Sequence, residues 1–341
     1  MKKVFDSQTI TLFIVAAVAA FLPLVLKGNQ YAMVLVTTVL IYAVLASAWN
    51  IIGGYAGQMD LSAGAYLGLG AFTTGTLLLK FNLTPWVGMF IGGLIAMGIS
   101  ALIGLPFFRF KIKELWYALS SSAMVEVFRV IFMLWGDVGG PTERYLPIGN
   151  TPAENWYNMR FYTYAPYFYI MLVLLIIVML VSKYIRISKL GYSLLALGED
   201  EDAAEVLGVN ARKSKLTALM IYAFFGGLVG GVYACMYGFI HPSYFSIPMS
   251  TEVAILGIVG GLGLTYGPLF AAVLMVSLRE YLRSSLGGGM EGVYLVVYSL
   301  ILILVALFQP RGLYPLFQKL LDKVKQFIGR RDDARSTASK N

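Results

Sequence analysis

The chain has 341 residues, of which 58% are hydrophobic and 13% charged, about half the charged share of an ordinary soluble domain. A globule this apolar cannot cover itself with polar groups, so water-soluble domains are excluded and lipid becomes the solvent for most of the chain. One Cys and one His exclude a disulfide framework and the common zinc sites, and the net charge of +8 concentrates on one side of the expected membrane and not on a nucleic-acid face.

A helical span takes roughly 20 mostly apolar residues. Candidate stretches lie at about 10–26, 31–52, 63–79, 85–108, 115–135, 165–182, 215–240, 250–264, 268–284 and 292–308, so the expected fold is all-α with about ten spans. Met1-Lys2-Lys3 ahead of an apolar run has the look of a signal peptide, but Lys27-Gly28-Asn29-Gln30 leads straight into a second apolar run. The first stretch is therefore read as a span. Residues 1–315 form the transmembrane domain, and 316–341 a basic tail.

Glycine-rich breaks at 53–64 and 257–267 expose backbone groups that lipid cannot satisfy, so they line a cavity or pack against protein. Gly57, Gln58, Asp60 and Ser62 in the first break, together with Glu252, are the candidate translocation path. Ionisable groups inside spans are costly and each is a functional candidate. Glu126 and Arg129, and likewise Glu280 and Arg283, have the i,i+3 spacing of ion pairs and are read as structural pairs joining helices. Asp60 and Glu252 have no obvious partner in sequence, and a helix interface or an aqueous path would each suit them. Cys235, within a span, reads as a small core residue. His241, in the turn His241-Pro242-Ser243-Tyr244, reads as a surface residue.

The segment 136–164 is long and aromatic, with Trp156, Tyr157, Phe161, Tyr162 and Tyr164; an interfacial belt and a docking surface are both open to it. With the N-terminus in the cytoplasm, the inner loops hold Arg109, Lys111, Lys113, Lys183, Arg186, Lys189, Arg212, Lys213 and Lys215, and the tail holds Arg311, Lys319 and Lys323 among others. That surplus puts both termini inside, in the cytoplasm, for a multi-pass membrane protein, with the tail able to touch anionic lipid.

The inner loop at 188–214 is polar. Within it, residues 199–208 read as a short helix. Glu199, Asp200, Glu201 and Asp202 lie at its positive end. Ala203, Ala204 and Leu207 give a small apolar face, and Gly208 stands where a left-handed cap ends it. Such a helix is shaped to enter a groove on another protein. An ordinary solvated loop is the plainer reading.

Asp202-Ala203-Ala204-x3-Gly208 resembles the Glu-Ala-Ala-x3-Gly coupling loop of ABC importer permeases, with Asp in place of Glu. Four further blocks resemble the LivM-type permeases of branched-chain amino-acid importers, in order along residues 50–313. They are Gly54-Tyr55-Ala56-Gly57-Gln58; Tyr117 to Arg129 followed by Gly139-Gly140; Val259-Gly260-Gly261-Leu262-Gly263 with Gly267-Pro268; and Phe308-Gln309-Pro310-Arg311-Gly312-Leu313. Gly198 and Tyr192 depart from that pattern, where Arg is usual. So does Asp60-Leu61-Ser62-Ala63, where the family has Ser-Leu-Gly-His.

The resemblance implies the larger, ten-helix type of ABC importer permease, as in the vitamin B12 importer. It also implies separate ABC ATPase subunits, a second LivH-type permease, an extracytoplasmic solute-binding protein and a small-molecule solute. No cofactor is expected in this chain and no metal. The phosphate-cradling Gly-x4-Gly-Lys-Ser/Thr is absent because no Lys follows a Gly, so ATP belongs to the partner subunits and this chain is expected to be no enzyme. Coupling residues would be Glu199, Asp200, Asp202, Ala203, Ala204 and Gly208. Three rival readings stay open: an ABC permease for an amide, urea, sugar or nucleoside; an ion-coupled transporter using Asp60, Glu126 or Glu252; and an integral membrane enzyme.

Overall fold

The structure, a computed structural model, describes residues 16–26, 28–112, 114–286, 292–309 and 312–316. The expected basic tail from 317 on, the first part of the first apolar stretch, and Lys2, Lys3, Lys113, Pro310 and Arg311 lie outside the described residues. The helices are α1 (Ala16–Val25), α2 (Gln30–Ile52), α3 (Ala63–Phe81), α4 (Pro85–Arg109), α5 (Glu114–Leu134), α6 (Pro152–Tyr157), α7 (Ala165–Arg186), α8 (Lys189–Glu199), α9 (Glu201–Val206), α10 (Ala211–Tyr237) and α11 (Ile247–Gly260). After them come α12 (Gly267–Ala271), a π-helical turn (Ala272–Val276), α13 (Ser277–Leu286) and α14 (Val293–Phe308). Among the described residues, six helical segments are long and apolar enough to cross a membrane: Gln30–Ile52, Pro85–Arg109, Leu115–Leu134, Ala165–Arg186, Ala211–Tyr237 and Pro242–Gly260. Ala16–Val25 and Val293–Val305 are apolar but shorter.

Local chemistry sets the boundaries. The Asn29 side chain accepts from the Ala32 N–H and starts α2, and Asn210 does the same for α10 through the Lys213 N–H. The stretch expected at 250–264 starts earlier because Ser246 caps the helix and Pro248 occupies its first turn. It stops earlier because Gly261 leaves helical geometry at φ 112°.

Glycine decides how the central helices pack. α3, α4 and α10 approach backbone to backbone. A Cβ on Gly70 would lie 2.0 Å from the Gly227 carbonyl oxygen, one on Gly230 2.0 Å from the Leu67 oxygen, and one on Gly227 2.7 Å from the Gly93 Cα. Without an aqueous hydrophobic drive between helices in lipid, such close van der Waals contact is what holds them together.

The aromatic segment 136–164 folds back on its own chain. Arg144 and Tyr145 pair antiparallel with Ile240 and Phe239. Trp156 stacks on Trp86 at 6.1 Å between ring centroids. The Tyr157 hydroxyl donates to the Asn82 carbonyl at 2.8 Å, so α6 covers the α3–α4 turn. Tyr162 stays exposed. His241 is half-buried and caps a 3-10 turn, its Nδ1 accepting from the Ser243 N–H at 3.2 Å. Cys235 is fully buried.

Candidate functional site

The loop at 188–214 is not a loop but two helices and a capped end. α8 was not foreseen, although Leu190, Leu194 and Leu197 recur at helical spacing, and Leu194 and Leu197 are buried. The single helix expected over 199–208 is corrected. Glu199 closes α8, and Asp200, extended at φ −156°, caps α9 by accepting from the Ala203 N–H at 2.9 Å. A carboxylate breaks the run because it satisfies the free N–H groups of a new helix start. Gly208 does adopt the left-handed conformation, at φ +90°.

The expected apolar face is corrected too. Ala204 points inward and packs with Leu197 and Ala211, whereas Ala203 is exposed. Val206 and Leu207 are 88% and 84% exposed, so the apolar tip of α9 has no partner among the described residues. Two lysines hold the tip in place. Buried Lys215 donates to Glu201 at 2.7 Å, and Lys111 pairs with Glu205. The Glu205 carboxylate raises the Lys111 ammonium above its ordinary pKa.

The departure at Gly198 has a steric cause. Its backbone lies on the first glycine break, where a Cβ would come within 2.8 Å of the Tyr55 carbonyl oxygen, and Gly57, at φ +67°, faces the Gly198 Cα. The end of α8 thus touches the turn between α2 and α3 directly.

The two glycine breaks also meet one another. The Asn50 side-chain oxygen accepts from the Gly263 N–H at 3.1 Å, and its amide donates to the Leu264 carbonyl at 3.1 Å. Trp49 fits against Gly53 and Gly257, where a Cβ on either would strike its ring. Its indole N–H donates to the Asp60 carbonyl at 2.7 Å. The Tyr55 hydroxyl reaches Ser182 Oγ at 2.7 Å. Trp49 and Asn50 were missed in the sequence. The only cue there was the pair Trp49-Asn50 near the end of an apolar run, two residues ahead of Gly53-Gly54, and nothing in it revealed a partner more than two hundred residues away.

Asp60 is buried at 1% exposure and has partners after all. Its Oδ1 accepts from the Ser62 N–H at 2.8 Å and from the Ser62 hydroxyl, and its Oδ2 accepts from Tyr117 at 2.8 Å. The Leu61 N–H donates to Ser121 at 2.9 Å. The acid therefore joins the first break to α5. Gln58 is equally buried, and its amide nitrogen lacks a hydrogen-bond partner.

The expected path residues do not share one cavity. Asp60 and Ser62 line a small pocket with Tyr117 and Ser121. Glu252 lines a separate cavity of about 800 Å³ near the far ends of α2 and α10, on the face away from α8 and α9. There the expected Glu280–Arg283 pair is present but loose, at 3.6 Å. The hub is Arg279, which binds Glu280 at 3.0 Å and also pairs with Glu252. It thereby ties α13 to α11. Arg279 also lies over the Tyr42 ring of α2 at 4.9 Å. Glu126 and Arg129 do pair, but within α5 and both partly exposed. That pair joins no two helices, because i,i+3 neighbours satisfy each other on their own surface. Among the described residues no group of three or more His, Cys, Asp or Glu could hold a metal ion.

The family described as "Branched-chain amino acid transport system / permease component" matches residues 31–306. The high-affinity branched-chain amino acid transport system permease protein LivM of Escherichia coli (strain K12) is 26% identical over 334 residues, covering 91% of this chain and 77% of its own. The protein of the same name from Salmonella typhimurium is 26% identical over 301 residues, covering 82% and 69%. A probable branched-chain amino acid transport permease protein LivH of Methanocaldococcus jannaschii is 24% identical over 272 residues, covering 74% and 82%. No solved structure matches.

Proposed function

The chain belongs to the branched-chain amino acid transport system permease family, and from that premise we propose how it works as a LivM-type, multi-pass membrane subunit of an ABC importer. ATPase subunits grip the tip of α9 from the cytoplasm. Their closure is passed through α8 to the first glycine break, and the helices shift between outward and inward openings. The observation that carries this reading is the pairing of an exposed apolar tip at Val206 and Leu207 with a backbone contact from Gly198 to 55–57. Force entering at the tip reaches the turn between α2 and α3 through that backbone contact at Gly198.

On this reading the solute is a branched-chain amino acid, as the names of the relatives suggest. A LivH-type permease completes the path, and an extracytoplasmic binding protein delivers the solute. Both termini lie in the cytoplasm of a bacterial inner-membrane protein. The ten apolar stretches form ten spans of the vitamin B12 importer type, the shorter helices crossing where neighbouring protein satisfies their ends. ATP is bound by the partners, and this chain carries no cofactor or metal and performs no chemical step.

The test is purification of the tagged chain in mild detergent, followed by uptake in proteoliposomes. An ATPase and a second permease are expected to co-purify, and leucine uptake to require ATP. Leu207→Glu should abolish ATPase recovery while the protein still inserts and keeps its melting temperature, since a solvent-exposed change shifts stability by no more than about 0.5 kcal/mol. Uptake by the chain alone, driven by a proton or sodium gradient, would overturn the proposal.

A further inference from the structure

The cavity on the face away from α8 and α9 holds charges of both signs with hydrogen-bonding capacity unused. Arg279 is spent: it binds Glu252 and Glu280 and covers the Tyr42 ring. Glu252 gives Arg279 only its Oε2, and its Oε1 is buried with no hydrogen-bond partner. The Tyr298 hydroxyl is buried and lacks a partner as well. Arg283 is 65% exposed and held only loosely by Glu280. All of these residues, Tyr42 included, line one space of about 800 Å³, which Leu35, Ile255 and Leu302 also line.

A buried carboxylate oxygen without a donor is costly, so this site is built for something that brings one. A cation alone would leave Arg283 unanswered, and an anion alone would be repelled by Glu252. A molecule with an ammonium at one end, a carboxylate at the other and a short aliphatic branch answers all three sets of groups. It also fits the usual size of a ligand pocket, about 300–1,000 Å³.

We propose that this cavity is a solute site within the permease itself, recognising an aliphatic amino-acid zwitterion, with Glu252 Oε1 accepting from its ammonium and Arg283 donating to its carboxylate. The inference rests on the amino-acid importer reading. The site is a weak one, because a path must release what it holds. It adds a second selection after delivery, one that depends on both charged ends.

The test uses the full chain in nanodiscs and radiolabelled L-leucine at equilibrium. Saturable binding is expected. Leucinol, which keeps the amine and loses the carboxylate, should compete at least tenfold less well than leucine, and so should 4-methylpentanoate, which loses the amine. Glu252→Gln and Arg283→Gln should each weaken leucine binding about tenfold, and Tyr298→Phe severalfold; for Arg283→Gln and Tyr298→Phe the melting temperature and ATPase recovery stay as in the parent chain. Tyr298→Phe and Arg283→Gln leave the Arg279 pairs in place, so they remain informative if Glu252→Gln does not fold. Absence of saturable leucine binding by the folded chain overturns the proposal, as does binding indifferent to these substitutions. Equal competition by the two analogues does so too. ATP-dependent leucine uptake with wild-type KM in Glu252→Gln and Arg283→Gln would remove this site while leaving the importer reading standing. Failure to recover an ATPase would strike that reading instead.

Discussion

The two ends of the molecule are built from different materials. Where α8 reaches the first glycine break the decisive contact is backbone on backbone, Gly198 on Tyr55–Gly57, and the short Asn50 side chain clamps the backbone of Gly263 and Leu264 beside it. At the other end the contacts are between long side chains, with Arg279 shared by two carboxylates and the Tyr298 hydroxyl left over. Backbone contacts have no rotamers to absorb a displacement, so a push at one side arrives at the other. Long side chains can exchange one partner for another as an occupant enters. One end suits transmission of movement, and the other suits a changing guest.

The sharpest way to break this contrast is to put a side chain where backbones meet. Gly198→Val should separate α8 from the first break, because its Cβ would fall 2.8 Å from a carbonyl oxygen with two methyls beyond it. Overpacking of this kind costs about 1–3 kcal/mol. ATP-driven uptake should drop more than tenfold while ATPase subunits still co-purify, because the tip of α9 is untouched; both are read on the reconstituted complex.

Asp60 distinguishes a structural joint from a solute contact. Asp60→Ala strands the Ser62 N–H and the Tyr117 hydroxyl in a buried place, at about 1–3 kcal/mol for each unsatisfied group, and should lower the melting temperature by several degrees. Asp60→Asn keeps one acceptor oxygen and should cost far less. A changed solute preference in Asp60→Asn at unchanged stability would move this residue from the joint to the path.

Most of the span positions were legible because apolar runs separated by Lys, Gly and Pro leave little choice in lipid. The left-handed Gly208 was legible for a similar reason: few other residues accept its geometry. What stayed hidden was pairing across long sequence distances. Glu252 and Arg279 are 27 residues apart, on helices whose relative rotation no local pattern reveals, whereas Glu280 and Arg283 advertise themselves by spacing and turn out to be the looser pair. The Asn50 clamp was hidden likewise. Gly198 was visible only as an anomaly, and its meaning required the backbone of 55–57 beside it.

A smaller effect sharpens the account of the α9 tip. Among the described residues no atom lies within 4 Å of a Cβ built on Gly208, so Gly208→Val meets no clash with them. Its cost within the chain is a backbone one, about 1–2 kcal/mol for a left-handed L-residue. Recovery of ATPase should fall several-fold as the tip is re-aimed, with membrane insertion intact. Gly208→Asn should restore most of it, since Asn tolerates that conformation.

The least effect belongs to Lys111→Met. The Lys111–Glu205 pair is more than half exposed on the lysine side, and solvent screens such pairs until they contribute little to stability. Stability should hardly change, and ATPase coupling should lose only its sensitivity to ionic strength. A large loss would mean that Lys111 contacts the partner directly.

One irregularity decides where the charged hub points. The π-helical turn at Ala272–Val276 holds one residue more per turn than the α-helix around it, and each α-helical residue advances the azimuth by about 100°. All side chains beyond Val276 are therefore wound on by that step relative to an uninterrupted helix. Arg279 meets Glu252 because of a single surplus residue upstream, so the address of the cluster is written in the winding of its helix and not in the cluster itself.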